Sequence, residues 1–121
     1  MEDEQRLAWV RDRAREGALM TSVCTGSLVY AAAGLLHNRP ATTHWASLAR
    51  LGELDGTIEV RTHDRFVDDG GVVTASGVSA GIDMALHLVA RLAGPTRASQ
   101  VRRAMQYDPD PPVPNADPRP Q

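Results

Sequence analysis

The sequence contains no lysine, because all 13 of its basic residues are arginines. This absence excludes Schiff-base chemistry, a lysine general base and the phosphate-binding lysine of a Walker-type loop. Cysteine is almost as scarce, since Cys24 is the one thiol among 121 residues. A single cysteine rules out an intrachain disulfide and a zinc site built from several cysteines. Any chemistry at Cys24 therefore uses partners that contain no sulfur.

Long apolar runs and a dominant charge are also missing. No stretch reaches the roughly 18 consecutive apolar residues of a membrane helix, and the acidic, arginine-rich start lacks the apolar core of a secretory signal, so we expect a cytoplasmic protein. The formal net charge is −2, and acids and arginines are interleaved. No basic surface therefore favours nucleic acid or an anionic membrane as a partner.

The composition is that of one globular domain with a modest core, since 42% of the residues are hydrophobic. Residues 108–121 hold six of the eight prolines and almost no apolar side chains. We expect this segment to be a disordered tail after a domain at residues 1–107. Residues 2–16 place apolar side chains at helical spacing and predict a helix that stops at Gly17.

A strand, a tight turn and a helix follow this first helix. Residues 18–24 form a short apolar run, typical of a strand buried on both faces. The turn consists of Thr25, Gly26 and Ser27, and residues 28–36 favour a helix. Further along the chain we predict strands at 41–44, 58–61, 65–67 and 72–74, a hairpin turn at 68–71, and helices at 46–54, 84–94 and 96–105.

Alternating strands and helices indicate an α/β layer fold with a largely parallel sheet. Two or three of the predicted strands are long and buried, whereas an open doubly wound sheet commonly has about five or six strands. We therefore expect the chain to be the back portion of a larger domain.

Cys24 is the candidate nucleophile. It lies where the predicted strand ends and the helix begins, near backbone N–H groups and the positive end of a helix dipole, which favours the thiolate form. Small residues after it leave room for a sharp turn, as in the nucleophile elbow of hydrolases. The alternative is that Cys24 is a buried small hydrophobe. Its position alone leaves the two interpretations evenly weighted.

His44 is the candidate partner of this thiol. In a parallel sheet the ends of adjacent strands meet at one edge, so His44 could reach Cys24 as a base or an orienting group. Three other histidines show no metal-ligand spacing and are interpreted as loop or surface residues: His37, His63 and His87. Asp83 is expected to cap a helix or to form a structural ion pair. Three further acids look like turn residues: Asp64, Asp68 and Asp69.

Five segments carry a family resemblance, and they occur in the order Ser22-Val23-Cys24-Thr25-Gly26-Ser27, Ala33-Gly34-Leu35-Leu36, Ala41-Thr42-Thr43-His44-Trp45, Thr74-Ala75-Ser76-Gly77-Val78-Ser79-Ala80-Gly81-Ile82-Asp83 and Gln106-Tyr107-Asp108-Pro109-Asp110-Pro111-Pro112. Together they resemble the ThiJ/PfpI branch of the class I glutamine amidotransferase-like superfamily, and within it the isonitrile hydratases. The resemblance implies a flavodoxin-like α/β sandwich, usually dimeric. It also implies that Cys24 is the nucleophile, that Thr25 matches a functional threonine, and that His44 matches a partly kept histidine.

The activity implied is the hydration of an isonitrile to an N-substituted formamide, without a metal or an organic cofactor. Members of this family have another half-domain before the cysteine, which supplies the first strands, an acidic residue at the cysteine and a glycine-rich oxyanion turn. We therefore expect a C-terminal part, arising as a truncated gene product, as one half of a split pair, or from a start at an internal methionine.

Three functions stay open for such a part. It could act as a hydratase on a small-molecule substrate, as a ligand-sensing module like that of AraC-type transcription regulators, or as an inactive remnant. The expected partner is a second copy or the missing N-terminal half.

Overall fold

The computed structural model describes residues 3–107, and the tail predicted at 108–121 lies outside the described residues. The elements in that range are α1 Glu4–Arg15, β1 Met20–Ser22, α2 Gly26–Ala32, β2 Pro40–Ala41, α3 Leu48–Leu54, β3 Glu59–Val60, β4 Phe66–Asp68, β5 Val72–Ala75, α4 Val78–Ala93 and α5 Pro95–Met105. A short 3-10 helix, Trp45–Ser47, leads into α3. Within this range no helix is both long and apolar enough to span a bilayer.

The strands form two small sheets. In the first sheet β5 lies between β1, to which it is parallel, and β4, to which it is antiparallel. The second sheet pairs β2 with β3 in parallel. The Thr42 backbone N–H, just beyond β2, donates to the Thr74 hydroxyl of β5 at 2.9 Å and so connects the two sheets. This mostly parallel arrangement with packed helices confirms the predicted α/β class.

The predicted elements are present, but several have different bounds. The strand predicted at 18–24 is reduced to β1, where Thr21 is exposed between buried Met20 and Ser22. The prediction of burial on both faces is therefore wrong at Thr21, because no element among residues 3–107 covers its side chain. The hairpin is confirmed: Gly70 N–H donates to Asp68 Oδ1 at 2.9 Å in the turn between β4 and β5.

Helix α4 begins at Val78, six residues before the predicted start at Met84. Its first turns contain β-branched residues and a glycine, which have low helix propensity. Burial compensates for this low propensity, because Ala80 and Met84 are 2% and 6% exposed and lie on one face of the helix. Tertiary packing therefore sets the helix start, and Asp83 lies within the helix and does not cap it.

The core has two parts. One is enclosed by α1, α2 and α3, with Leu36 and Leu51 almost fully buried. The other lies beneath α4 and centres on Val73, Ala75 and Met84. Full burial of an aliphatic side chain of this size contributes about 1.5–3 kcal/mol. The first cluster includes Met20 of β1 and Val72 of β5, and the second includes Ala75 at the carboxyl end of β5.

One face of the fold stays open. An apolar groove of about 310 Å³ runs along α4 and α5 and is lined by Val23, Val78, Ile82, Leu86, Val101 and Met105, among others. Val78 and Met105 are 79% and 51% exposed. The groove is thus an exposed apolar surface between two helices.

Asp68 connects the hairpin to α4. His87 Nε2 lies 2.7 Å from Asp68 Oδ2, and Arg91 Nη1 lies 3.1 Å from Oδ1. Burial raises the pKa of Asp68, but the hydrogen bonds from His87 and Gly70 and the charge of Arg91 outweigh burial, so the pKa is lowered. A carboxyl with a lowered pKa in the folded state stabilises the fold above its unfolded pKa, and this contribution disappears as the pH falls through the folded pKa.

We therefore expect Asp68→Asn to lower the midpoint of thermal unfolding at neutral pH, and we expect this penalty to shrink as the pH falls below the unfolded Asp pKa of about 3.9 and through the lowered pKa of the folded state. Circular dichroism melts across this pH range measure the difference. Asp12→Asn, at a solvent-exposed pair on α1, is the matched control and should change little at any pH. A penalty for Asp68→Asn that stays constant with pH would contradict the assignment.

Candidate active site around Cys24

Cys24 occupies a sharp turn between β1 and α2. Its φ is +52°, in the left-handed region that residues other than glycine seldom adopt. The Gly26 N–H donates to the Val23 carbonyl at 3.0 Å in this turn. Such backbone conformations cost on the order of 1–3 kcal/mol and concentrate at functional positions. The strained position belongs to the single free thiol, which is partly exposed.

Two glycines leave room for this turn. A Cβ on Gly26 would lie 3.2 Å from Ser22 Cβ, closer than ordinary contacts. A Cβ on Gly81 would lie 2.8 Å from Val23 Cγ1, which would force one of the two to move. Gly81 belongs to α4, so its missing side chain lets that helix pack directly against the residue before Cys24.

The segment after β2 contacts the backbone of Cys24. The Thr43 hydroxyl donates to the Cys24 carbonyl at 2.8 Å, and the His44 backbone N–H donates to the same oxygen at 3.2 Å. Thr43 is completely buried. The structure thus brings the His44 backbone next to Cys24, but not as neighbouring strands of one sheet, because β1 and β2 lie in different sheets and the two hydrogen bonds to the Cys24 carbonyl produce the proximity.

The His44 ring has a defined tautomer when it is neutral. Its Nδ1 accepts the Ala46 backbone N–H at 3.1 Å, so the ring proton of neutral imidazole lies on Nε2. The ring also lies 5.5 Å from the Trp45 ring, centroid to centroid. Neutral His44 therefore offers a hydrogen-bond donor rather than a base at Nε2.

Thr25 directly follows Cys24 but faces a different environment. It is the N-cap residue of α2, its side chain makes no capping hydrogen bond, and it is exposed. Unlike Cys24 and His44, it does not line the cavity beside the elbow.

This cavity has a volume of about 590 Å³ and opens at the carboxyl ends of the strands. Besides Cys24 and His44, its polar lining comes from three segments: Thr42 and Thr43 after β2, Thr62 to Arg65 after β3, and Ser76 to Ser79 at the start of α4. Its volume is in the range typical of small-molecule sites. No group of three or more His, Cys, Asp or Glu side chains within residues 3–107 is arranged to hold a metal ion.

His63 and Arg65 line the cavity but were not predicted as site residues from the sequence. His63, interpreted as a loop or surface residue, is exposed and lines the cavity. Arg65, assigned only to a strand, precedes β4 and lines the cavity as well. The available signal was their position just after a strand, at the sheet edge where α/β folds bind ligands.

Asp83 holds Arg65 in place. Asp83 Oδ2 accepts from Arg65 Nε at 2.6 Å, which confirms the expected ion pair. Asp83 Oδ1 accepts from the Tyr107 hydroxyl at 2.6 Å, and this hydrogen bond raises the pKa of Tyr107. Arg65 Nη2 also donates to Ser79 Oγ at 3.2 Å. The guanidinium is thereby fixed against the first turns of α4.

Comparison with known proteins identifies a family and several relatives of this chain. The model of the DJ-1/PfpI family matches residues 1–91. Isonitrile hydratase from Pseudomonas putida is 48% identical over 118 residues, which cover 98% of this chain and 50% of that protein. The HTH-type transcriptional regulator CdhR from Pseudomonas aeruginosa is 40% identical over 93 residues, covering 77% of this chain and 27% of the regulator.

Solved structures support the same conclusion about the fold. A ThiJ/PfpI family protein from Pseudomonas syringae matches with a TM-score of 0.79 and 41% identity, over 95% of this chain and 46% of that one. An AraC family transcriptional regulator from Pseudomonas putida matches with a TM-score of 0.80 at 21% identity, which is a likeness of fold alone. The chain spans half or less of the length of these curated relatives.

The close approach of Gly81 to Val23 predicts an unusual response to alanine. Replacing an interior helix glycine with alanine ordinarily stabilises by about 1 kcal/mol, and Gly52→Ala in α3 should do so because its Cβ would meet Val60 Cγ2 at a comfortable 3.7 Å. In Gly81→Ala the clash with Val23 should cancel this stabilisation. Thermal unfolding midpoints of the two variants test the difference.

The double variant Val23→Ala/Gly81→Ala separates the clash from other effects. Removing the Val23 methyl groups should restore the helix gain relative to Val23→Ala alone. Equal stabilisation by Gly52→Ala and Gly81→Ala would show that α4 does not press on the elbow.

Proposed function

Because the chain belongs to the DJ-1/PfpI family, we propose that it carries the nucleophile side of an active site that hydrates isonitriles to N-substituted formamides. One observation carries the proposal: the strained Cys24, with a φ of +52°, lines a cavity that it shares with His44. The 48% identity to an isonitrile hydratase supports this choice of reaction.

In the proposed reaction the Cys24 thiolate adds to the terminal carbon of the isonitrile, and that carbon takes up a proton to give a thioimidate. Water then adds to the same carbon and the C–S bond breaks. The thiolate leaves with the bonding electrons, and the nitrogen gains a proton to complete the formamide. The overall change is the addition of one water without oxidation or reduction, which suits a covalent thiol mechanism.

Two neighbours would assist Cys24. Neutral His44 can donate from Nε2 and so orient the substrate or the water, because Nδ1 is occupied by the Ala46 N–H. Thr25 follows the nucleophile directly, and its exposed hydroxyl makes no capping bond, which leaves it available to relay a proton. Both side chains would thus act on the substrate or the water while it reacts at the Cys24 sulfur.

The remaining groups of the site would come from a second polypeptide segment. Within residues 3–107 no carboxylate is hydrogen-bonded to the Cys24 thiol. The buried hydroxyls of Ser22 and Ser27, on either side of the elbow, have no hydrogen-bond partner in the same range. Buried polar groups are normally paired, and both hydroxyls are covered by residues of this chain, so they do not bear on a second segment. The apolar groove and the unpaired edge of β1 do support the proposal of a second segment.

A sensory function is the second candidate. CdhR, a transcriptional regulator, is 40% identical over 93 residues. A ligand bound in the Cys24 cavity would then act on an attached DNA-binding domain, and no turnover would be required. An inactive remnant would show neither turnover nor binding.

Activity assays with and without a complementing half test the enzyme proposal. Losing one preorganised oxyanion donor typically costs on the order of a hundred- to a thousandfold in rate, so we expect near-background formamide production by the 121-residue chain alone. Adding a separately expressed N-terminal half of an isonitrile hydratase should restore turnover, and Cys24→Ala should abolish it.

The possible results separate the candidates. Strong Cys24-dependent turnover by the chain alone would contradict the need for a second segment. Turnover in no combination, together with saturable ligand binding in the cavity, would replace the enzyme proposal with the sensory one.

The partner proposal has its own test. The open groove should drive association of the isolated chain at micromolar concentration, either with itself or with the complementing half, and sedimentation velocity measures both. Val78→Gln, at a groove residue that is 79% exposed, should weaken association. Leu92→Gln, at a residue outside the groove that is 71% exposed, should not. A compact monomer with a cooperative melt would contradict the proposal.

A further inference from the structure

We infer that Arg65 makes the Cys24 cavity selective for small molecules that carry a carboxylate or a similar anionic group. Arg65 is the arginine that lines this cavity among residues 3–107. Its side chain is 52% exposed, so the guanidinium is accessible to a ligand. Guanidinium groups bind carboxylates through two parallel N–H donors, a geometry that lysine does not provide.

Arg65 keeps donors free for such a ligand. A guanidinium has five N–H groups. One on Nε donates to Asp83 at 2.6 Å and one on Nη2 donates to Ser79 at 3.2 Å. Tyr107 lies close enough to Arg65 to interact with it. If Tyr107 takes a third N–H, two remain, and they form the parallel pair that a bidentate carboxylate needs when one lies on each Nη nitrogen.

The fixed position of the guanidinium favours binding. Asp83 and Ser79 both belong to the first two turns of α4, so they hold Arg65 against a rigid helix. Asp83 acts as a positioning residue, because it bonds to Arg65 and does not itself line the cavity. A cation that is already held in place loses less side-chain entropy when a ligand binds.

Other charged and polar groups around the cavity determine whether it favours anions or cations. Asp64 is the carboxylate in the lining, and its Oδ2 pairs with Arg61 Nε at 2.8 Å. On the other side, residues of the first turn of α4 line the cavity, and the N-cap Gly77 provides no side-chain cap. The positive end of this 16-residue helix adds to Arg65, and neutral His44 adds an N–H donor. The one carboxylate of the lining is therefore already paired, and Asp83, outside the lining, offsets part of the Arg65 charge.

As a statement about substrates this inference rests on the proposed function, and the substrate class would be small isonitriles that carry a carboxylate. As a statement about binding it rests on the Arg65 side of the cavity and needs no turnover. A ligand whose carboxylate lies on Arg65 would extend its other end through the shared cavity toward Cys24.

Alkylation of the single thiol provides the test. Iodoacetate and iodoacetamide react in the same way: the thiolate attacks the methylene carbon, a C–S bond forms, and iodide leaves with the bonding electrons. The two reagents differ in charge at the distal group. The ratio of their rate constants at Cys24, followed by mass spectrometry, therefore reports the preference of the cavity for an anion and cancels changes in thiol reactivity.

We expect Arg65→Gln to lower the iodoacetate-to-iodoacetamide ratio by about three- to tenfold at low ionic strength. Arg65→Lys should retain part of the preference. Arg15→Gln removes an equal charge from an exposed position on α1 and should leave the ratio unchanged. A small carboxylate such as propionate should slow iodoacetamide labelling of the unsubstituted chain and not of Arg65→Gln.

An unchanged ratio in Arg65→Gln, with labelling by iodoacetamide retained, would overturn the inference. The inference would also be overturned if Asp64→Asn raised the ratio by more than Arg65→Gln lowered it, because Asp64 would then dominate the charge of the cavity. Labelling does not require catalysis, so a failure of isonitrile turnover leaves this result intact. Conversely, turnover that is indifferent to substrate charge would support the proposed function and refute Arg65 selectivity.

Discussion

The carbonyl of Cys24 is the point on which the candidate site depends. Two donors, the Thr43 hydroxyl and the His44 N–H, converge on this one oxygen. They hold the left-handed backbone of Cys24 against its intrinsic cost. The same bonds join the segment after β2 to the end of β1. Without them the turn could relax, and the cavity would lose one wall.

The sequence was sufficient for the parts of the molecule that follow from local chemistry. An apolar run before Cys24 and small residues after it predict a strand-to-helix turn. His44 was expected at the same edge of the sheet. The start of α4 was not predictable from propensity, because Val78 to Asp83 become helical through the burial of Ala80 and Met84. Arg65 escaped detection for a similar reason: its role depends on Asp83, 18 positions away in the sequence. The roles of Thr25 and His44, and a location in the cytoplasm, stay predictions.

The two sides of the fold differ in how complete they are. The side that faces α1, α2 and α3 has a closed core, whereas α4 and α5 present an apolar groove and β1 has one unpaired edge. The segments that match this chain make up half or less of the curated relatives. The elbow at Cys24 and the hydrogen bonds that anchor it all lie within the matching segment.

Helix α4 contacts distant parts of the site along successive turns. Gly81 packs closely against Val23 beside the elbow, Met84 packs into the core above β5, and His87 and Arg91 bind Asp68 in the hairpin. All of these contacts belong to one helix of 16 residues. A rearrangement of α4 would therefore alter the packing beside Cys24, the core and the hairpin together.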